Sequence, residues 1–141
     1  MRKYTVTHML RMEHLNHHES LYAGQAAEWL MEASFVAINL EYGNPKGILY
    51  KNTHSFEFSK PVFAGDIITY EAVIVRLGKT SVTIHVRVFN EITGEDHAEG
   101  FTTFVTINPN SMRPVAHGMK LDETDDMGEL DARKRAEDFF K

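Results

Sequence analysis

The longest helical pattern in the sequence runs from Ala23 to Gly43. It contains no proline, and Gly24 is followed by no further glycine until Gly43, which predicts a helix that ends at that residue. Ser20 stands just before it as a candidate N-cap. Apolar side chains cover most of the circumference, namely Trp29, Leu30, Met31, Ala33, Phe35, Val36, Ala37, Ile38 and Leu40. A helix that is apolar nearly all round is buried on most sides, so we expect it at the centre of the fold.

The rest of the chain alternates with a period of two, which is typical of strands. One strand is predicted before the helix, at Tyr4–Arg11. Four follow it, at Ile48–Phe58, Ile67–Leu77, Ser81–Phe89 and Ala98–Ile107. In SVTIHVRVF the valines and the isoleucine alternate with Thr83, His85 and Arg87, which predicts a half-buried strand. Short turns between the strands favour an antiparallel sheet, and a sheet curled around the helix would bury both. The sequence therefore predicts one α+β domain.

Composition narrows the class of protein. A chain of 141 residues fits a single domain. The absence of cysteine excludes disulfides, thiolate nucleophiles and cysteine-ligated zinc. A formal net charge of -5 disfavours nucleic acid as a partner. We find no apolar run of the roughly 20 residues that a membrane span needs, and no signal peptide, so we expect a cytoplasmic protein.

The end of the chain, residues 119–141, is predicted to be a charged tail with a short helix near Glu129–Phe139. Glu129 and Arg133 are four residues apart in the favourable order for a helix. Two alternatives stay open from the sequence. The helix is either a solvated surface helix, or it docks on a neighbouring subunit through Phe139 and Phe140.

Glu32 is the most informative polar residue, because it lies in the most apolar part of the predicted helix. A carboxylate that is desolvated without a partner costs several kcal/mol. It is therefore either a functional carboxylate at a pocket or a subunit interface, or it forms the wet side of the helix together with Gln25 and Glu28.

The stretch HLNHHESLYAG, residues 14–24, precedes this helix. Three of its histidines and Glu19 are possible metal ligands, but no motif such as HExxH is present, so we do not expect a metal. Asn16 is a neutral group that can hold a carbonyl or a water. The N–H groups of Ala23 and Gly24, at the positive end of the helix, can hold a developing oxyanion.

A third polar cluster is the turn VRLGKTS, residues 75–81. Its cations and hydroxyls, Arg76, Lys79, Thr80 and Ser81, surround Gly78. The turn is either a hairpin with solvated cations or an anion site that contacts phosphate.

The segment NHHESLYAGQAAEWLMEASF resembles the signature of hotdog-fold acyl-CoA thioesterases of the acyl-CoA hydrolase type. FSKPVFAGDIITYEAVI, RLGKTSVTIHVRVF and GFTTFVTI continue the resemblance in the family's order. The resemblance implies a hotdog domain over residues 1–118 and hydrolysis of an acyl-CoA to the free acid and coenzyme A. It also implies no cofactor beyond the coenzyme A of the substrate. Active sites would lie between the subunits of a homodimer that assembles into a hexamer, a trimer of dimers.

The resemblance also implies roles for single residues. Asn16 would be the active-site asparagine, and the N–H of Gly24 would polarise the thioester carbonyl. Met31 stands where the family has its catalytic aspartate, so Glu32, the next residue, is the candidate general base or nucleophile. The resemblance places Lys79, Thr80 and Ser81 where members of the family contact the nucleotide or phosphates of coenzyme A, and Arg76 belongs to the same turn. From the sequence pattern alone, Asn52 and His54 share one face of their strand by the period of two, and we expect them to position water or substrate. His17 or His18 is expected to contact coenzyme A.

Two other functions stay open. One is a hydratase or ammonia-lyase of the same fold that acts on a β-substituted acyl-CoA, with Glu32 moving the proton at the α-carbon. The other is a non-catalytic acyl-CoA-binding protein.

Overall fold

The computed structural model describes all residues from Met1 to Lys141. The strands are β1 (Tyr4–Met9), β2 (Ile48–Phe58), β3 (Ile67–Leu77), β4 (Ser81–Asn90) and β5 (Asp96–Thr106). Helix α1 (Ala23–Tyr42) connects β1 to β2, and helix α2 (Met127–Asp138) follows β5. Short 3-10 turns occupy Met12–His14 and Pro45–Gly47. The strands form one antiparallel sheet in the order β1-β3-β4-β5-β2, which confirms the α+β prediction. Neither helix is long and apolar enough to cross a membrane.

Helix α1 packs against the inner face of the sheet. It ends as predicted, because Gly43 takes the left-handed conformation (φ 77°) that closes a helix. Its buried side chains are Ala26, Trp29, Leu30, Ala33, Ser34, Ala37 and Ile38. The expectation that α1 is buried on most sides is wrong within one chain. The sheet covers only one flank, and Glu28, Glu32 and Leu40 on the other flank are exposed.

A chain of hydroxyl groups ties the middle of α1 to the sheet. The Thr102 hydroxyl on β5 donates to the Ser34 hydroxyl over 2.8 Å. Ser34 in turn donates to the Leu30 carbonyl over 2.8 Å. Both side chains are fully buried, so these hydrogen bonds satisfy groups that have no access to water.

Helix α2 covers the outer face of the sheet. Ala132 and Ala136 are fully buried there, in a second apolar cluster with Val73, Val75 and Phe101. The predicted helix is therefore present and packs on its own chain, where Phe139 contacts Phe101. The prediction of a half-buried strand in SVTIHVRVF is also wrong, because the second face of β4 is buried too, including Thr83 and His85.

Ion pairs hold α2 in this position. Arg135 donates two hydrogen bonds to the Glu99 carboxylate, over 2.6 and 3.0 Å. The His85 ring lies 2.8 Å from the same carboxylate. The hydrogen bonds from Arg135 lower the pKa of Glu99 to about 2. Burial lowers the pKa of His85, which favours the neutral ring.

The two ends of the sheet carry different loops. Helix α1 begins at the end where β2 finishes, because the Leu21 N–H donates to the Val62 carbonyl over 2.8 Å. At the opposite end the Tyr4 hydroxyl donates to Glu41 over 2.7 Å, and the Thr106 N–H donates to Thr80 in the β3–β4 turn. A helix of 20 residues is roughly 30 Å long, which is the scale that separates the two ends.

Candidate active site

The loop before α1 fixes the orientation of the Asn16 side chain. Its amide oxygen accepts hydrogen bonds from the His18 N–H, the Ser20 N–H and the Ser20 hydroxyl, over 2.8, 3.2 and 3.3 Å. Glu19 takes a left-handed conformation (φ 62°) to close this tight loop. With its oxygen engaged, Asn16 has its amide N–H groups left to donate to a bound molecule.

The N-terminus of α1 leaves its backbone donors free. The N-cap residue is Tyr22, which makes no side-chain cap, so the expectation of Ser20 as N-cap is wrong. Ser20 instead bonds to Asn16 and bridges to Phe63. The first N–H of α1 that makes a hydrogen bond is that of Ala26, which donates to the carbonyl of Tyr22 just before the helix. The three N–H groups before it, those of Ala23, Gly24 and Gln25, make no hydrogen bond within the chain.

The absence of a side chain at Gly24 makes room for the Tyr22 ring. A Cβ at this position would lie 2.4 Å from the Tyr22 Cε2 atom. Beside the helix start is an open cleft of about 290 Å³ between α1 and the β2–β3 connection. Its lining residues are Ser20, Leu21, Ala23, Phe58, Ser59, Lys60, Pro61 and Val62. Free N–H donors therefore lie next to a partly apolar cleft.

Glu32 is not desolvated in the single chain. Its side chain is 51% exposed, and its Oε1 lies 3.9 Å from the His8 Nε2 atom. Glu28, one turn earlier, is exposed and accepts a hydrogen bond from Gln25 over 3.3 Å. Within one chain, Glu32 is therefore not a carboxylate buried among apolar side chains. Gln25, Glu28 and Glu32 instead form the solvent-facing side of α1, which was the second alternative from the sequence.

His8 was not predicted from the sequence, although it contacts the candidate base. Its ring stacks on Trp29 with centroids 4.0 Å apart and an interplanar angle of 12°. His14 approaches the same indole edge-on at 4.8 Å. The available signal was the alternation in β1, where Tyr4 and His8 have the parity of the inner face.

His17 and His18 lie on the surface of the loop. Both are exposed, and their rings are 3.9 Å apart. No group of three or more histidine, aspartate or glutamate side chains is arranged to hold a metal ion.

Asn52 and His54 lie on the outer face of the sheet, away from α1. They pair with Thr103 and Phe101, whose side chains belong to that face. The His54 ring stacks on Phe139 at 4.7 Å. The two residues share one face as predicted, but the sheet separates them from Asn16, Gly24 and Glu32 of the same chain.

The turn with Arg76, Lys79, Thr80 and Ser81 lies at the far end of the sheet from Asn16 and Gly24. Arg76 is engaged by the end of the chain, with Glu137 3.2 Å from its Nε and the Phe140 ring 3.7 Å from its guanidinium carbon. Lys79 is exposed. Asn16 and Gly24 of one chain therefore lie at one end of the sheet, and this turn lies at the other.

The comparison with protein families assigns this architecture. Residues 18–96, more than half of the chain, match the model of the thioesterase superfamily. The chain belongs to the thioesterase superfamily. A search of curated proteins found no match.

Solved structures agree with this assignment. An acyl-CoA hydrolase from Staphylococcus aureus in complex with butyryl coenzyme A is 22% identical, with a TM-score of 0.83 over 97% of this chain and 83% of that one. An acyl-CoA hydrolase from Bacillus cereus gives 22% identity and a TM-score of 0.83 over 95% and 81%. A hexameric thioesterase from Yersinia pestis gives 16% and 0.71 over 82% and 94%. The predicted hotdog fold is confirmed, and the predicted thioesterase family is confirmed at the level of the superfamily.

The sequence resemblance places the catalytic aspartate of the family at position 31. This thioesterase-superfamily chain has Met31 there, and its carboxylate is at the next residue, Glu32. Met31 is partly buried and packs against the core, whereas Glu32 projects from the exposed flank beside His8. Successive helix residues differ by about 100° around the axis, so the two positions face different surroundings.

Proposed function

We propose that this protein hydrolyses the thioester of an acyl-CoA to the free acid and coenzyme A. The observation that carries the proposal is the set of unpaired N–H groups at the start of α1, next to Asn16, in a chain of the thioesterase superfamily. Such donors complement the oxyanion of a tetrahedral intermediate, and each is worth roughly 3 kcal/mol in comparable sites. The Staphylococcus aureus protein crystallised with butyryl coenzyme A supports the substrate class.

In this proposal the Gly24 N–H polarises the carbonyl and the Asn16 amide orients the carbonyl or the water. Glu32 acts as general base towards water, or attacks the carbonyl itself to give an anhydride that water then hydrolyses. The leaving thiolate has a pKa of about 8.5 and needs little help from an acid.

The distances along α1 favour a site made by two copies of the chain. Gly24 and Glu32 are eight residues apart, from 24 to 32, which corresponds to about 12 Å of helix. One carbonyl therefore cannot touch both groups of one chain without a large movement. In a homodimer, Glu32 of one copy serves the carbonyl held by Asn16 and Gly24 of the other.

The same arrangement explains the distant turn. Lys79, Thr80 and Ser81 can bind the phosphates of coenzyme A only if another copy brings the far end of its sheet to the cleft. The exposed flank of α1 and the unpaired edge of β2 offer the surface for such an assembly. Hexameric thioesterases of similar structure support the proposal of a hexamer.

Release of free thiol from a panel of short, long and aryl acyl-CoAs tests the proposal, with the wild type, Glu32→Gln and Glu28→Gln compared. Glu28 is the matched control, because it is an exposed glutamate one turn earlier on the same helix. We expect thiol release by the wild type, a loss of at least a hundredfold in E32Q, and little change in E28Q. Release that survives in E32Q would remove Glu32 from the mechanism.

Absence of thiol release from every ester would overturn the proposed hydrolysis. Crotonyl-CoA with water or ammonia then separates the remaining alternatives. Addition to the double bond without thiol release would indicate the hydratase or ammonia-lyase. Binding without any turnover would indicate an acyl-CoA-binding protein.

A further inference from the structure

The immediate surroundings of Glu32 contain one side chain that is held rigidly and has an unused polar atom. The His8 ring is fixed by its stack on Trp29 and by an edge contact with Tyr70 at 6.1 Å. Tyr70 is itself immobile, because it is fully buried and its hydroxyl donates to the Ala26 carbonyl over 3.0 Å. Two aromatic residues, Trp29 from α1 and Tyr70 from β3, therefore set the plane of the His8 ring.

The unused atom is Nε2 of His8. It is buried and has no hydrogen-bond partner, although the Oε1 atom of Glu32 is 3.9 Å away. A buried polar group without a partner is costly, because it has lost its hydrogen bonds to water. Glu32 has a flexible and half-exposed side chain, so a rotation that moves its Oε1 atom by less than an ångström brings it within hydrogen-bond distance of Nε2.

We propose that His8 is the positioning residue of Glu32: its Nε2–H donates to the Glu32 carboxylate and holds it against the β1 side of α1. The inference rests on the proposed function of Glu32 as base or nucleophile. It assigns to β1 a role in the site that the family resemblance does not supply, and it gives a partner to the carboxylate that stands beside Met31.

The charges around the pair are consistent with a neutral histidine that donates. Burial lowers the pKa of His8, with His14 acting in the same direction and Glu32 in the opposite one. Arg11 also lines the small cleft in front of the ring, but it is paired with Glu13 at 3.0 Å. A neutral ring carries one N–H, and a carboxylate beside Nε2 favours the tautomer that places the proton there.

The test compares three substitutions of His8 in the full-length protein. His8→Phe keeps an aromatic ring on Trp29 and removes the donor. His8→Gln places an amide N–H near the position of Nε2, and His8→Asn is too short to do so. His14→Phe is the matched control, because it changes the other histidine on Trp29.

We expect H8F to lower kcat for thiol release about tenfold or more, with KM within a factor of two, and H14F to leave both near the wild-type values. H8Q should recover most of the rate and H8N should not. In the E32Q background, H8F should have no further effect.

Equal impairment of H8Q, H8N and H8F would show that His8 only packs, and would overturn the inference while hydrolysis stands. A wild-type rate in H8F would do the same. If the wild type releases no thiol, the proposed function fails and the pair is tested without turnover. Nitrogen-15 NMR should then show the Nε2–H tautomer of His8 and a lower His8 pKa in E32Q than in the wild type. An unchanged His8 titration in E32Q would overturn the pairing itself.

Discussion

Replacing Ser34 by alanine should destabilise the protein by about 2 kcal/mol, although it removes only one oxygen atom. Ser34 is fully buried and is the acceptor for the Thr102 hydroxyl over 2.8 Å. S34A leaves that hydroxyl buried without a partner, whereas T102V leaves the Ser34 hydroxyl bonded to the Leu30 carbonyl. We therefore expect a smaller loss of about 1 kcal/mol for T102V.

The double variant distinguishes a stranded polar group from a simple loss of contacts. S34A/T102V contains no unsatisfied hydroxyl, so it should lose about 1 kcal/mol and not the sum of about 3, a coupling of about 2 kcal/mol. Urea unfolding at one fixed protein concentration measures these values, since association would otherwise change the midpoint. Thr5→Val, at an exposed position of β1, is the control and should stay within about 0.5 kcal/mol. Additive losses in the double variant would refute the reasoning.

Three further predictions concern the site and the second helix. Gly24→Ala should lower kcat/KM for thiol release about tenfold, because the new Cβ displaces the Tyr22 ring over the N–H groups. The free energy of unfolding should rise by up to about 1 kcal/mol, because alanine favours a helix more than glycine does. An unchanged kcat/KM would contradict this. Arg135→Gln should cost on the order of 1 kcal/mol at neutral pH after allowance for solvent screening. Because the pKa of Glu99 in the folded protein is lowered to about 2, the difference in unfolding free energy between wild type and R135Q should be full above pH 5 and vanish as the pH falls towards 2. Urea unfolding across this pH range measures it, and a pH-independent difference would count against the ion pair. Phe139→Ala should increase amide hydrogen exchange of α2 while leaving α1 protected, because the ring packs on the outer face; equal exchange in both helices would refute separate docking.

The elements that the sequence predicted well are those with a strong local signal. Helix α1 has a long run without proline and a glycine at its end, and the strands β2 to β5 have a period of two bounded by turns. The docking of α2 had no such signal. Its buried residues are two alanines and Glu129, and its position depends on the ion pair from Arg135 to Glu99, 36 residues away in sequence.

The same distinction between local and distant determinants applies to the site. Asn16 and Gly24 are close in sequence, and the structure places them together at one helix end. The side of the sheet on which Asn52 and His54 lie depends on which face α1 covers. The availability of Arg76 depends on where the last residues of the chain pack. A local pattern contains neither piece of information.

The phase of α1 decides how the carboxylate at position 32 can work. A side chain at position 31 packs towards the core of its own chain, and one at position 32 leaves the helix about 100° further round, next to β1. An acid that has moved by one residue therefore loses whatever groups oriented it at the first position and needs new ones. On this flank the structure offers a single rigid donor, the His8 ring held by Trp29 and Tyr70. In the proposed mechanism, the change at Met31 and the histidine on β1 are thus two parts of one arrangement, in which the strand orients a carboxylate that the helix presents.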